Sequence, residues 1–228
     1  MTPTRIALAA LALLVSVPAA DAAGETFRAQ GNEPFWSLHR SAEAIVFKTM
    51  DGAAVTVAPV PEPASEGKAD VYQASVENET FVLTVEDAVC TDTMSGMPFP
   101  NTVTVQFGPD SYSGCGGEPA TLLAGDWTVV TIDGEPPIDG TEPSLSFGDD
   151  GRISGNASCN RFFGGFTLTG EGLSFGEMGA AMMMCDDPVM AQERAMLDIL
   201  QGTIGFAIAE DGGLTLSGAD GRTIAAAR

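Results

Sequence analysis

The chain has 228 residues and a formal net charge of −21, with 10 basic residues against 31 acidic ones and one histidine. Such a balance excludes surfaces that grip nucleic acid or anionic lipid headgroups, because both need Lys and Arg to neutralise phosphate. Residues 23–119 carry 4 basic and 14 acidic residues, and residues 120–228 carry 5 and 16, so the acidity is spread over both halves. It favours solubility and would steer a basic partner in.

The N-terminus reads as a secretory signal peptide over residues 1–22. Arg5 precedes a short apolar run from Ile6 to Val17, Pro18 ends it, and Ala20-Asp21-Ala22 supplies a small-x-small cleavage site. The run is too short to span a bilayer comfortably. The expected location is therefore the periplasm or the exterior, and no cysteine lies near the cleavage site to carry a lipid.

The rest is a succession of short strands and tight turns. In the first half the strand candidates are Phe35 to Arg40, Ala44 to Thr49, Ala54 to Val57, Val71 to Val76, Phe81 to Val85 and Thr102 to Phe107. Val103, Val105 and Phe107 alternate with polar neighbours, the period of a half-buried strand. Pro59 to Pro63, followed by Ala64 to Gly67, reads as a loop. A boundary falls around Glu118 to Ala124.

The second half offers Trp127 to Ile132, Ser144 to Phe147, Arg152 to Ser154, Phe166 to Thr169, Leu173 to Phe175, Ile204 to Ala209, Leu214 to Ser217 and Arg222 to Ala226. Asp-Gly and Gly-rich connections separate several of them, suiting antiparallel neighbours. One helix is expected, with Asp187 as N-cap, Pro188 as first helical residue and Gly202 past the end. Val189, Met196, Leu197 and Leu200 would form its apolar stripe. The predicted fold class is mainly β: two small antiparallel sheet or partly open barrel modules, the second with one packed helix. The expected domains are 23–119 and 120–228.

Four cysteines, Cys90, Cys115, Cys159 and Cys185, fall two to each half. In an exported chain they read as a disulfide framework. Three connectivities are possible, and within-half pairing is favoured because each half looks like its own module. No Cys-x-x-Cys exists for redox chemistry, and one histidine is poor provision for zinc. His39 reads as a surface or half-buried strand residue, without the nucleophile elbow that would accompany a hydrolase triad. Asp149-Asp150 suits a turn and Asp186-Asp187 a turn plus helix cap. Met94, Met97 and Met182-Met183-Met184 concentrate soft sulfur, which copper(I) would accept, but core or apolar-groove use is the expected role. No catalytic residue, metal or cofactor is expected.

The second half resembles the META domain, the HslJ-like family of exported bacterial proteins. The resemblance rests on Gly125-Asp126-Trp127-Thr128, Ile132-Asp133-Gly134, Leu145-Ser146-Phe147, Gly151 to Gly155, Cys159-Asn160-Arg161-Phe162-Phe163-Gly164, Met182-Met183-Met184-Cys185, Glu193 to Leu200 and Leu214-Thr215-Leu216. Ser158 stands where that family often has glycine, and Ala181 where it often has threonine. The first half is similar to an uncharacterised exported domain found beside META domains. Its marks are Gly31-Asn32-Glu33-Pro34-Phe35-Trp36, Cys90-Thr91-Asp92, Met94 to Pro100 and Gly114-Cys115-Gly116-Gly117. That signature contains both Cys90 and Cys115, which supports their pairing.

The META resemblance implies a small antiparallel sheet or barrel with a helix across it. It also implies an association with heat-shock response, novobiocin resistance or secretion. No catalytic residues are established for the family. The expected function is a non-enzymatic envelope protein that binds another envelope component or an apolar ligand. The first places to look are Met94, Ser95, Gly96, Met97 and Phe99, with Asn160, Arg161 and Phe162. Asn160 is expected to hydrogen-bond loop backbone. The alternative is an acidic inhibitor of a basic enzyme such as lysozyme, with Ser95 to Phe99 as a protruding loop.

Overall fold

The computed structural model describes residues 26–228; the expected signal peptide lies outside them. The protein is mainly β, 53% strand against 9% helix, in two antiparallel sheets that form a half-barrel and a nearly closed barrel.

The first sheet is built from β1 (Phe27–Asn32), β2 (Phe35–Arg40), β3 (Ile45–Thr49), β4 (Ala54–Val57), β5 (Ala64–Glu66), β6 (Ala69–Val76) and β7 (Glu79–Glu86). The two-residue strands β8 (Cys90–Thr91) and β9 (Pro98–Phe99) form a separate hairpin, and β10 (Asn101–Phe107) and β11 (Asp110–Gly116) complete the sheet. The strand order is β4-β3-β2-β1-β11-β10-β7-β6-β5. Period-2 burial defines its concave side: Trp36, Leu38, Ile45, Phe47, Leu83, Val103 and Val105 point into one core. His39 faces solvent.

A single helical turn, α1 (Ala120–Leu123), leads into the second sheet. That sheet contains β12 (Gly125–Ile132), β13 (Ser144–Phe147), β14 (Arg152–Asn156), β15 (Arg161–Thr169), β16 (Gly172–Phe175) and β17 (Gly179–Ala180). After α2 (Asp187–Gln201) come β18 (Thr203–Ile208), β19 (Leu214–Gly218) and β20 (Thr223–Ala227). The order is β16-β15-β14-β13-β12-β20-β19-β18, with β17 paired to β15 off that path. β16 lies against β18 and nearly closes the barrel. Trp127, Leu145, Phe162, Leu173, Leu214, Leu216 and Ile224 fill it, and α2 packs across with Met196, Ile199 and Leu200 buried. No helix among the described residues is long and apolar enough to cross a membrane.

Several expectations shift. Ala64 to Glu66 is a short edge strand paired only with β6, not loop; three exposed residues show no periodicity to read. Strands β1 and β11 escape a hydrophobic scan because they are rich in Gly, Gln, Asn and Ser, yet they pair at the centre of the first sheet. The N-cap of α2 is Asp186, one residue earlier than expected, with Pro188 in the first turn. The buried stripe includes Glu193 and Ile199, whereas Val189 and Leu197 are half-buried.

Candidate functional site

Both disulfides link cysteines within one half. Cys90 and Cys115 have Cα atoms 5.4 Å apart, and Cys159 and Cys185 6.1 Å. Two disulfides indicate an oxidising, extracytoplasmic environment. The first fastens the β8–β9 hairpin to β11. The hairpin then leaves its own sheet: Met97, 6% exposed, belongs to the core of the second sheet, and Phe99 packs against that core. Of the segment Ser95 to Phe99, only Ser95 and Gly96 stay exposed at the turn, and Met97 to Phe99 are packed away. An unbranched thioether fits an irregular gap between two curved sheets better than a branched side chain would.

Asp92 organises the hairpin turn. Its Oδ1 accepts the amides of Met94 at 3.1 Å and Ser95 at 2.8 Å and the Ser95 hydroxyl at 2.8 Å. Its Oδ2 accepts Asn32 Nδ2 at 2.9 Å, and that nitrogen also reaches Thr93 Oγ1 at 3.0 Å. Burial alone would raise the Asp92 carboxyl. The hydrogen bonds from Ser95, Asn32 and Met94 outweigh it and hold the group below its ordinary value. The neighbouring Gly31 leaves room for the Trp36 indole: a Cβ there would sit 2.1 Å from Nε1, which donates to the Ser113 carbonyl at 3.1 Å. The motif residues Gly31, Asn32, Trp36, Asp92 and Cys115 thus converge on one corner of the molecule.

At that corner a cleft of about 540 Å³ opens between the two sheets. Met94, Met97, Phe99 and Leu168 supply its apolar wall, and Gln30, Asn32, Asp92, Ser95 and Glu118 its polar groups, while Pro119, Ala120 and the β15–β16 turn close the rest. A second hollow of about 280 Å³ adjoins it along Asn32, Asp92 and the Cys90–Cys115 bridge. The ionisable groups of the larger cleft are Asp92 and Glu118, with no lysine or arginine among its lining. It suits an apolar group carrying hydrogen-bond donors or positive charge, and disfavours an anion.

The other sequence-marked segment, Asn160 to Phe162, lies elsewhere on the second barrel. Asn160 is 1% exposed and Phe162 2%, while Arg161 faces solvent. Asn160 Oδ1 accepts the Met183 amide at 2.8 Å, and its Nδ2 donates to the Met183 carbonyl at 3.2 Å. The buried Glu193 of α2 fixes that loop from beneath. Its Oε2 accepts the amides of Asn160 at 2.6 Å and Cys159 at 3.2 Å, and its Oε1 accepts Asn160 Nδ2 at 2.9 Å. Ser158 has φ of +122°, in the region that favours glycine. Met182, Met183 and Met184 are exposed coil, so they do not serve as core.

The marked residues are therefore not one site. Met94, Ser95, Met97 and Phe99 line the cleft; Gly96 sits at the tip of their turn with φ of +71°; Asn160 ends the loop held by Glu193, and Arg161 and Phe162 open β15. Asn32 and Asp92 stood inside the quoted motifs but were not singled out. Glu193 likewise stood inside a quoted motif without being singled out, and Leu168 and Thr169 carried no signal beyond a strand end. Among the described residues there is no group of three or more His, Cys, Asp or Glu side chains arranged to hold a metal.

Residues 120–228 match the family model of the META domain. That domain is of unknown function and is not a known enzyme family. Comparison with curated proteins gives no match. Two structures solved by NMR are similar to part of the chain. One, a protein from Burkholderia xenovorans, is 26% identical, with a TM-score of 0.40, over 48% of this chain and 85% of its own. The other is 26% identical, with a TM-score of 0.41, over 48% and 93%.

Proposed function

We propose that this is a non-enzymatic binding protein of the cell envelope, exported by residues 1–22 to the periplasm or the exterior. Its two modules, 23–119 and 120–228, hold a neutral or cationic apolar ligand, or an apolar side chain of an envelope protein, in the cleft between them. A link to envelope stress belongs to the same reading and rests on the META resemblance. The observation that carries the proposal is the cleft wall: Met97 and Phe99 from one module and Leu168 from the other form a single apolar surface edged by amides and carboxylates. A pocket of that composition is the usual form of a small-ligand site. Anionic ligands are disfavoured by Asp92, Glu118 and the overall charge.

The test is titration with N-phenyl-1-naphthylamine, a neutral apolar fluorophore. Saturable fluorescence enhancement near one site per chain is expected, at least tenfold weaker in Leu168→Glu. That substitution sets a third carboxylate at the apolar wall. Absence of saturable binding, or equal binding by the folded variant, would overturn the assignment. For the lysozyme-inhibitor alternative, only Ser95 and Gly96 of the loop stay exposed, since Met97 and Phe99 pack against the second core.

A further inference from the structure

The segment Gly179 to Met184 runs along the outer side of β15 as an edge. Phe163 pairs with Gly179 and Phe162 with Ala180, and the Ala181 amide donates to the Arg161 carbonyl at 3.0 Å. Beyond the end of β15 the Asn160 side chain takes over: its amide group pairs with both polar groups of the Met183 backbone, as a neighbouring strand would. The Cys159–Cys185 disulfide then pins the next residue. Inward bonds at Ala181 and Met183 alternate as in a strand, so the backbone groups of Ala180, Met182 and Met184 turn away from the sheet. Among the described residues no backbone hydrogen bond involves the amide or carbonyl of Met182 or Met184.

This edge is held from one side and open on the other. Its side chains are apolar and exposed, Met182 at 95%, Met184 at 90% and Phe163 at 66%, and methionine surfaces adapt to varied partners. Its flanks are acidic: Glu177 precedes it, Asp186 and Asp187 follow it, and all three are exposed. Arg161 lies one strand inside the edge. A second copy pairing here in either direction would set acids against acids, which is how natural edges resist self-association.

We infer that Gly179 to Met184 is a docking edge for an extended segment of another protein. That segment would add as a strand through the outward groups of Ala180, Met182 and Met184, with alternate apolar residues on the methionines and Lys or Arg at its ends. Strand addition draws affinity from main-chain bonds and specificity from side chains and charge.

The test uses the whole chain and a synthetic peptide, Lys-Lys-Val-Thr-Val-Thr-Val-Lys-Lys, with amide hydrogen exchange read residue by residue. Bound peptide is expected to slow exchange at Met182 and Met184 at least tenfold. The same peptide N-methylated at alternate residues loses its donors and should not protect. A version with glutamate ends should bind at least tenfold more weakly at low salt. Met182→Pro removes one outward donor, leaves the inward bonds of Ala181 and Met183 in place, and should weaken binding with an unchanged circular dichroism spectrum. Equal protection by the N-methylated peptide, protection located elsewhere, or none at all would overturn the inference. So would concentration-dependent protection of the edge without peptide, because the occupant would then be a second copy.

Discussion

Replacing Glu193 tests how the loop that carries Asn160 and Cys159 is held. Its carboxylate accepts three donors, two of them on Asn160, which is 1% exposed. Glu193→Leu keeps a similar volume and removes every acceptor. Each buried donor left unpaired costs about 1–3 kcal/mol. Relief from burying a carboxylate offsets part of that, so about 3 kcal/mol is expected overall. Glu193→Gln retains one acceptor oxygen but turns an NH2 toward one of the donors, for an expected loss of about 1–2 kcal/mol. The chain has two tryptophans, Trp36 in the first core and Trp127 in the second. A Trp36→Phe background therefore makes Trp127 fluorescence a reporter of the second barrel alone. Urea unfolding should show a lowered midpoint with an unchanged slope, in the order wild type, Gln, Leu. Equal midpoints for Gln and Leu, or a loss below about 1 kcal/mol for Leu, would refute the hydrogen-bonding account of this residue.

Met97→Ala removes a side chain that the first half contributes to the second core. It should destabilise the Trp127-reported transition by about 2–3 kcal/mol while moving the Trp36-reported one less; the reverse order would contradict the packing. Asp92 gives a pH signature. Its folded value lies below its unfolded one, so its contribution is fully present above the ordinary carboxylate range and is lost as pH falls through the lowered value. Wild type should exceed Asp92→Asn in stability at neutral pH, and the gap should close below about pH 4. A gap that is constant with pH in denaturant titrations would remove the carboxylate from the explanation.

Strands with alternating β-branched and aromatic residues were legible in the sequence. Thr102 to Phe107 and Ser144 to Phe147 bury the residues that the alternation assigns to the core, because one face of each sheet is dry. β1 and β11 were not legible: their positions are decided by close backbone approach and by a disulfide rather than by apolar area. The helix was legible from Pro188 in its first turn and Gly202 past its end, but Glu193 within its buried face was not. A periodicity argument scores glutamate as solvent-facing, and here hydrogen bonds to the Asn160 loop override that preference. The segment Met94 to Phe99 was legible as unusual. Its destination in the other core was not, since nothing local specifies a partner distant in sequence.

The central claim is that the two sheets share one binding cleft. Methyl spectra of the protein labelled at Met and Leu, recorded with N-phenyl-1-naphthylamine, test it directly. The account predicts shifts at Met94 and Met97 together with Leu168, saturating at one common concentration, while Met182 to Met184 stay unmoved. Shifts confined to one sheet, or centred on Met182 to Met184, would contradict it.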